Sequence, residues 1–380
     1  MDFTPSEEQV MFRRSIREFA SKEIEPYAAK NDETGEFSLE NVRKLGEMGL
    51  LGLTTPEEYG GMGGSAVDFA IAAEEISRAD ASMGTLLSVA NSLFNFPMYR
   101  FGNEEQKQRH LVPVARGEKL GAYGLTEPNA GSDAASLQTS AVRDGDCYVL
   151  NGSKAFITCG DVADSLIVFT STDKSQGSRG ITAFIVEKAM RGFTPGKREK
   201  KLGICASPTV PLFFDDCRVP VENRLGDEGF GFKIAMQTLD GGRIGIASQA
   251  LGIAQAAFEA ALSYAKTRKQ FGQPIAEFQA IKWMLADMAT QIDAARLLTL
   301  RCADLRDRGL PHAKEASMAK LFASETAMAV ATKAVQIHGG VGYTKDFPVE
   351  RYFRDAKITE IYEGTSEVQR LVISNYIIRS

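Results

Sequence analysis

The sequence predicts an α+β protein in which a β-rich domain lies between two helical domains. The chain has 380 residues, enough for two or three domains. Apolar residues recur at helical spacing in the first and last thirds of the chain, whereas the middle segments are short and β-rich. We therefore expect an N-terminal α-helical domain over residues 1–120, a middle β-domain over 121–225 and a C-terminal helical-bundle domain over 226–380.

Composition excludes several classes of protein. The net charge is -5, and no long basic run indicates a nucleic-acid binder. No stretch approaches 18 uninterrupted apolar residues, so we expect no transmembrane helix. The N-terminus, MDFTPSEEQV, does not resemble a secretory signal or a presequence. We expect a bacterial cytoplasmic location, or the mitochondrial matrix if the chain is a trimmed mature form.

Cysteine and histidine usage argues against a metal site. The five cysteines are scattered without a CxxC pair, which suits a reducing compartment and neither a disulfide framework nor a structural zinc site. The three histidines, His110, His312 and His338, are far apart in the sequence. We therefore expect no metal and no histidine-based triad.

Local signals place the elements in order. Thr4 to Glu7 matches a capping box with proline at the first helical position, and Asn103 to Gln106 matches a second helix start. In the middle domain, Asp144-Gly145 and Asn151-Gly152 are turn dipeptides between the strands of an expected antiparallel sheet or barrel. Long segments rich in Ala, Gly and Ser then predict three or four packed helices, broken by Gly and Pro within Thr267 to Gln279.

Two stretches of the middle domain could bind a flat, phosphate-bearing ligand. No strand-linked GxGxxG is present, so a Rossmann nicotinamide site is not supported. After Tyr123 the chain turns to small residues around Gly131, whose backbone N–H groups could approach a phosphate; the same residues could instead form a simple turn capped by Asp133. Phe156 and Thr158 could flank a heterocycle from one face of a strand, or could be core and edge positions.

Charged residues in the last domain are also open to two interpretations. Asp240 and Arg243 at i, i+3 could pair with each other or hold a polar ligand tail. Glu363 precedes Gly364 at a break between two helical segments, before a plausible capping box at Ser366 to Gln369. By itself this pattern fits a solvated carboxylate and a catalytic base equally well.

Seven stretches follow one another along the chain: YGLTEPNAGSDAAS, SKAFIT, KLGICAS, DGGRIGIASQALGIAQ, RKQFGQP, QIHGGVGY and RDAKITEIYEGTSEVQR. In this order they resemble the acyl-CoA dehydrogenase family over essentially the whole chain. The resemblance implies a helical domain, a middle β-barrel domain and a C-terminal four-helix bundle. It also implies FAD, a CoA thioester substrate, an electron-transferring flavoprotein as acceptor and a homotetramer built as a dimer of dimers.

The resemblance implies α,β-dehydrogenation of an acyl-CoA to the trans-2-enoyl-CoA, with Glu363 as the base for the α-proton and hydride transfer to flavin N5. Some members carry the base at a position that matches Gly242 here, and glycine cannot be a base. Hydrogen bonds from the Glu363 N–H and the flavin ribityl chain would stabilise the thioester enolate.

The resemblance also assigns binding residues. Arg268, Phe271 and Gln279 resemble residues that reach the FAD of a neighbouring subunit. Phe156 departs mildly from the tryptophan that the family often has. The implied cofactor residues are Tyr123, Leu125, Thr126, Gly131, Ser132, Phe156, Thr158, Arg268, Phe271, Gln279, Gln336, Gly339, Gly340, Thr365 and Glu367. The implied substrate residues are Ser132, Asp240, Arg243, Tyr362 and Gly364.

The resemblance is closest to short-chain, butyryl-type enzymes for linear, branched or cyclic acyl groups. Leu86 to Gly102 is expected to border the acyl end. A glutaryl-type enzyme would want an arginine within Ser88 to Pro97, where none occurs, although Arg100 is close. An acyl-CoA oxidase and a non-catalytic flavin- or acyl-CoA-binding assembly protein are two more functions that the motifs allow, and the presence of Glu363 argues against the assembly protein.

Overall fold

A computed structural model describes the backbone of residues 5–379 and the side chains of residues 5–378. Within these residues, helices occupy the chain up to Ala115, strands occupy Gly121 to Leu225, and long helices follow from Gly231. The predicted order of a helical, a β-rich and a second helical domain is therefore confirmed.

From residue 5 onward, eight α-helices form the N-terminal domain. Ser6 caps α1, because its hydroxyl accepts from the Gln9 N–H at 3.2 Å while the Gln9 side chain accepts from the Ser6 N–H at 3.0 Å. The first capping box thus begins at Ser6; the expected position, Thr4, lies outside the described residues. The second predicted start, Asn103, caps α7 with Gln106 as expected. The helices are α1 Glu7–Phe19, α2 Glu25–Thr34, α3 Leu39–Glu47, α4 Ala66–Ala79, α5 Ala81–Ser88, α6 Phe96–Phe101, α7 Glu104–Gln106 and α8 Val112–Ala115, with π-helical segments at Ala20–Ile24, Val89–Asn95 and Lys107–Leu111.

The middle domain is an eight-stranded sheet in the order β6-β7-β3-β2-β4-β5-β8, with β1 beside β4. Most pairs are antiparallel, but β1 and β2 each pair with β4 in parallel. The sheet is therefore mixed, and the purely antiparallel expectation is wrong. Its strands are β1 Gly121–Gly124, β2 Ser140–Asp144, β3 Cys147–Thr158, β4 Ser165–Ser171, β5 Ile181–Glu187, β6 Phe193–Pro195, β7 Thr209–Pro220 and β8 Arg224–Leu225.

One of the two predicted turns is present. Gly145, at φ +64, lies in the hairpin between β2 and β3. Asn151-Gly152 is not a turn, because it lies inside β3 at a register shift. A Cβ on Gly152 would come within 2.7 Å of the Thr139 Cα, and the Asn151 amide bonds both the side chain and the N–H of Asp216. This glycine thus permits close approach of a neighbouring segment rather than chain reversal.

Three long helices and two shorter ones form the C-terminal domain up to Arg379. Alanines make up most of their buried faces, which brings the helix axes close together. Ala66 and Ala70 of α4 belong to the same buried cluster, so the N-terminal domain shares a core with the bundle. The helices are α9 Gly231–Thr267, α10 Gln279–Asp307, α11 Ala313–His338, α12 Val349–Thr359 and α13 Ser366–Arg379, and a hairpin of β9 Lys269–Gln270 and β10 Gln273–Pro274 links α9 to α10.

The cysteines and helices show two further features. All five cysteines are free thiols. Among residues 5–379, no helix is both long and apolar enough to span a bilayer.

Candidate active site

Glu363 lies in the turn between α12 and α13, with its backbone in the left-handed region at φ +52. Such a conformation is uncommon for a residue other than glycine and costs roughly 1–3 kcal/mol, so neighbouring groups must hold it. Gln369 supplies one constraint, because its Nε2 donates to the carbonyls of Glu363 at 3.1 Å and Gly364 at 2.8 Å. The structure therefore fixes this turn from the helix that follows it.

The use of Gln369 in the turn changes how α13 is capped. The Thr365 hydroxyl accepts from the Val368 N–H at 3.3 Å, which is the capping contact. The Ser366 hydroxyl is buried and has no hydrogen-bond partner among the described residues. The predicted capping box at Ser366 to Gln369 is wrong, since the glutamine side chain already bonds the Glu363 turn.

Glu363 is half-buried as a residue, but one oxygen of its carboxyl is closed to solvent. Its Oε2 atom is inaccessible and accepts no hydrogen bond from a described residue. Burial raises the pKa of this carboxyl to about 7, against the opposing effect of the Lys320 and Arg243 cations. A Cβ on Gly242 would overlap Oε2, so the glycine at the rival base position leaves the room that the carboxyl occupies. A pKa near 7 suits a general base at neutral pH.

Two polar groups flank the carboxyl. The Tyr362 hydroxyl is hydrogen-bonded to the Gln249 side chain, which donates at 2.8 Å to both the Ala81 carbonyl and the Thr85 hydroxyl. Tyr362 thereby ties the turn to α9 and α5. Among the hydrogen bonds of the described residues, none uses the Glu363 N–H, so this donor is free beside the carboxyl.

The end of β1 lies beside Glu363. Tyr123 is 9% exposed, and its hydroxyl is buried without a hydrogen-bond partner in the described chain. Burial, followed by the nearby Glu363 charge, raises the pKa of this hydroxyl. In the loop after β1, Gly131 and Ser132 are exposed, and a Cβ on Gly131 would meet nothing within 4 Å. The backbone of this loop is therefore open to a ligand.

A buried ion pair joins this loop to β3. The Nζ of Lys154 donates to Glu127 Oε1 at 2.7 Å and to the Leu125 carbonyl at 3.2 Å. The carboxylate also accepts from the N–H groups of Gln138 at 2.6 Å and Thr139 at 3.0 Å. Burial lowers the pKa of Lys154 to about 8. Burial opposes ionisation of Glu127, but Lys154 outweighs it and lowers the carboxyl pKa. Both groups are thus charged at neutral pH.

Phe156 projects from a bulge in β3. The pairing with β7 shifts register between Lys154 and Ile157, and Phe156 takes φ +57. Its ring is 67% exposed, so it is not a core residue, while Thr158 is half-buried. The Ala155 N–H donates to the carbonyl of Thr126, a half-buried residue, at 2.8 Å. This bond holds the bulge against the loop after β1. An exposed aromatic ring therefore stands beside the open loop.

The predicted substrate-tail residues form an ion pair. Arg243 Nη1 donates to Asp240 Oδ1 at 2.6 Å, as the spacing allowed. The Arg243 Nε is buried and bonds no described residue. A groove of about 550 Å³ opens beside Asp240 and is lined by residues 309–315 and Tyr376. Pairing and ligand contact are therefore compatible here.

Eight further predicted residues lie apart from this centre or at its margin. Arg268, Phe271 and Gln279 are exposed around the β9–β10 hairpin, and Phe271 is 93% exposed. Gln336, Gly339 and Gly340 are exposed at the end of α11. Thr365 is half-buried and Glu367 exposed at the start of α13.

Sequence reasoning missed Lys320, Glu127, Lys154 and the supporting glutamines. Lys320 is wholly buried on α11, and its Nζ donates to the Gly364 carbonyl at 2.8 Å. A usable signal existed, because Lys320 shares a helix face with Ala316 and Ser324, four residues away on either side. A lysine on an otherwise small and apolar face indicates a buried charge.

Comparison with known proteins places the chain among flavin-dependent dehydrogenases. The domain models of acyl-CoA dehydrogenases match it over residues 6–118 for the N-terminal domain, 122–217 for the middle domain and 229–378 for the C-terminal domain. The short-chain specific acyl-CoA dehydrogenase of Clostridium acetobutylicum is 56% identical over 379 residues, covering 100% of both chains.

Solved structures agree over the full length. The butyryl-CoA dehydrogenase of Megasphaera elsdenii superposes with a TM-score of 0.98 at 49% identity and covers 100% of both chains. A chain in the structure of the electron transferring flavoprotein of Acidaminococcus fermentans, from work on flavin-based electron bifurcation, also gives a TM-score of 0.98, at 53% identity over 100% of both chains.

Proposed function

We propose that this chain, which belongs to the acyl-CoA dehydrogenase family, dehydrogenates a short-chain acyl-CoA with FAD as cofactor and Glu363 as base. One observation carries the assignment of the base. The Oε2 atom of Glu363 is closed to solvent and has no hydrogen-bond partner among the described residues, in a space that Gly242 leaves open. A carboxyl oxygen in such a place supports a base over the solvated helix-break residue that the local sequence also allowed.

The residues near β1 fit FAD. The loop at Gly131 and Ser132 presents open backbone to a phosphate, and the exposed Phe156 offers a face for a flat ring system. The buried Tyr123 hydroxyl, at β1, has no hydrogen-bond partner among the described residues and is a polar group that a ligand could satisfy. The chemistry that FAD supplies when bound is acceptance of the β-hydrogen as hydride.

The chain's own residues prepare the α-carbon. The ionised Glu363 takes the α-proton, and its raised pKa makes the carboxylate a stronger base than an ordinary glutamate. Its free N–H is suited to bond the thioester carbonyl, where negative charge develops as the proton leaves. Because Gly364 has no side chain, the thioester can pass close to the turn. The Oε2 atom of Glu363 is closed to solvent, and a site with little water strengthens each of these interactions.

Several features support a short acyl group on CoA. Asp240 lines a groove at the start of α11 that could take a polar CoA tail, and Arg243 is paired with Asp240. Leu93 reaches the Gly242 side of the carboxyl, and Phe94 is wholly buried. Arg100 is exposed at the end of α6. This position does not favour Arg100 as a buried partner for the distal carboxylate of a glutaryl-type substrate. The names of the relatives, short-chain specific and butyryl-CoA dehydrogenase, agree with this proposal.

A substrate panel tests the activity. Anaerobic addition of butyryl-CoA is expected to bleach the flavin absorbance, with weaker bleaching by long-chain acyl-CoA and by glutaryl-CoA. Reduction followed by reoxidation with an electron-transferring flavoprotein supports a dehydrogenase, and rapid reoxidation by oxygen alone indicates an oxidase. Absence of bleaching across the whole panel, by protein that retains FAD, would favour the non-catalytic binding protein.

An electron-transferring flavoprotein is the proposed acceptor, supported by the likeness to a chain in such a structure. The predicted cytoplasmic or mitochondrial-matrix location stays a prediction.

We also propose a homotetramer. Large apolar side chains stay exposed on the single chain at the β9–β10 hairpin and along α10, notably Phe271 and Trp283. Such residues commonly mark contacts between subunits. Sedimentation equilibrium is expected to give four times the chain mass of 41.3 kDa. A monomer at micromolar concentration would contradict the tetramer.

A further inference from the structure

We propose that Lys320 is a positioning residue for proton abstraction, whose buried ammonium group holds the Glu363–Gly364 turn and favours the carboxylate form of Glu363. The inference rests on the proposed function, because it takes Glu363 to be the base. It adds a residue on α11 to a site otherwise built from the turn, β1 and α9.

The burial of Lys320 requires an explanation. Its side chain is fully inaccessible, and it forms no ion pair with a described residue. Desolvating an ammonium group without a counter-ion in contact costs several kcal/mol, and a methionine or leucine would fill the position without this cost. The single hydrogen bond to the Gly364 carbonyl at 2.8 Å ties the charge to the base turn. The position of the charge therefore indicates a role at Glu363.

Gln369 separates the two parts of this role. Its Nε2 also donates to the Gly364 carbonyl at 2.8 Å, so the turn has a neutral anchor beside the charged one. A charge-assisted bond is the stronger of the two. Loss of Gln369 would loosen the turn and leave the local charge intact, whereas loss of Lys320 would loosen the turn and also remove the charge.

Few other charges compete at the carboxyl. Arg243 approaches from α9, but it is already paired with Asp240 at 2.6 Å. Around Lys320, Glu360 is likewise paired, with Lys357 at 2.6 Å. The charge of Lys320 is therefore directed mainly at Glu363. The titratable groups that face Glu363 are Lys320, Arg243, Tyr123 and Tyr362, and those that face Lys320 are Glu363, Arg243, Glu360 and Glu367.

The sign of the expected effect follows from these charges. Burial raises the pKa of Glu363 to about 7, and Lys320 is the largest influence in the opposite direction. Removing the cation must raise the pKa further. Since only the carboxylate can take a proton, the acid limb of kcat/KM moves to higher pH. At alkaline pH the carboxyl is ionised in both proteins, so the loss caused by protonation disappears and only the loss caused by the loosened turn remains.

The experiment is a pH profile of kcat/KM for butyryl-CoA, measured on FAD-loaded protein. If the pKa of Glu363 rises by about one unit from about 7, we expect Lys320→Met, relative to the wild type, to lose about fivefold more activity at pH 7 than at the alkaline end. Lys320→Arg, which keeps the charge, should leave the limb in place. Lys333→Met is the matched control, because it removes a lysine from the same helix at a partly exposed position. The Nζ of Lys333 lies 3.3 Å from Asp287 Oδ2. Gln369→Leu should lower activity at all pH values without moving the limb.

Two results would overturn the proposal. One is an equal loss at every pH in Lys320→Met, which would make the lysine structural only. The other is an unshifted limb in Lys320→Gln, which keeps a donor without charge and serves if the methionine variant does not retain FAD. Failure of the proposed function is seen separately, as turnover by a Glu363→Gln variant. If Glu363→Gln is inactive and the acid limb of the Lys320 variants is unshifted, only the role of Lys320 is contradicted and the proposed function stands.

Discussion

Glu363→Gln is expected to lower the rate of acyl-CoA dehydrogenation by at least about 10²- to 10⁴-fold, the range for loss of a positioned base. The amide keeps the size of the carboxyl but cannot accept the α-proton. Gly242, the rival base position, has no side chain that could substitute. The flavin spectrum should be unchanged, because Glu363 is not among the residues proposed to hold FAD. Stopped-flow flavin reduction with butyryl-CoA measures the step directly.

Glu360→Gln is the matched control for that experiment. Glu360 lies just before the turn, and its Oε2 atom is 2.6 Å from the Nζ of Lys357. The charge of Glu360 is therefore already balanced by this ion pair. We expect its reduction rate to stay within about threefold of the wild type, as for a substitution outside the site. Flavin reduction by Glu363→Gln at a rate near that of this control would refute the base assignment.

Lys154→Met is expected to destabilise the protein by roughly 3–5 kcal/mol, the cost of breaking a buried ion pair from one side. The variant would leave the Glu127 carboxylate buried without its cation. Because this pair ties the loop after β1 to β3, the loop that carries Gly131 should loosen as well. We therefore expect a lower thermal unfolding midpoint together with loss of FAD on gel filtration.

Two further variants separate the ion pair from simple packing. Lys188→Met removes an exposed lysine of the same domain, whose Nζ contacts only the Asp161 carbonyl at 3.0 Å. Its effect should lie within about 0.5 kcal/mol. The double variant Lys154→Met with Glu127→Leu should recover much of the stability, since neither charge is then left unpaired. An unfolding midpoint and FAD content equal to wild type in Lys154→Met would show that the pair does not support the loop.

Local rules predicted elements well where the determining contacts are local. The capping box at Asn103 and the Asp240–Arg243 pair span three residues, so their geometry follows from helix periodicity. The same rules failed at Asn151-Gly152 and at Ser366. In both places a residue distant from the local motif decided the outcome: Asp216 and Thr139 in the first case, and the Glu363 turn in the second.

The sequence by itself determined the helical, β and helical order, the family resemblance and the choice of Glu363 over Gly242. These depend on periodicity and on the order of motifs, which are properties of the chain in one dimension. Only the tertiary structure decided that the Oε2 atom of Glu363 is closed to solvent, that Gly242 leaves its space and that Lys320 and Lys154 carry buried charge. A pKa depends on burial and on charges within a few ångströms, and folding brings those charges from α9 and α11, far away in sequence.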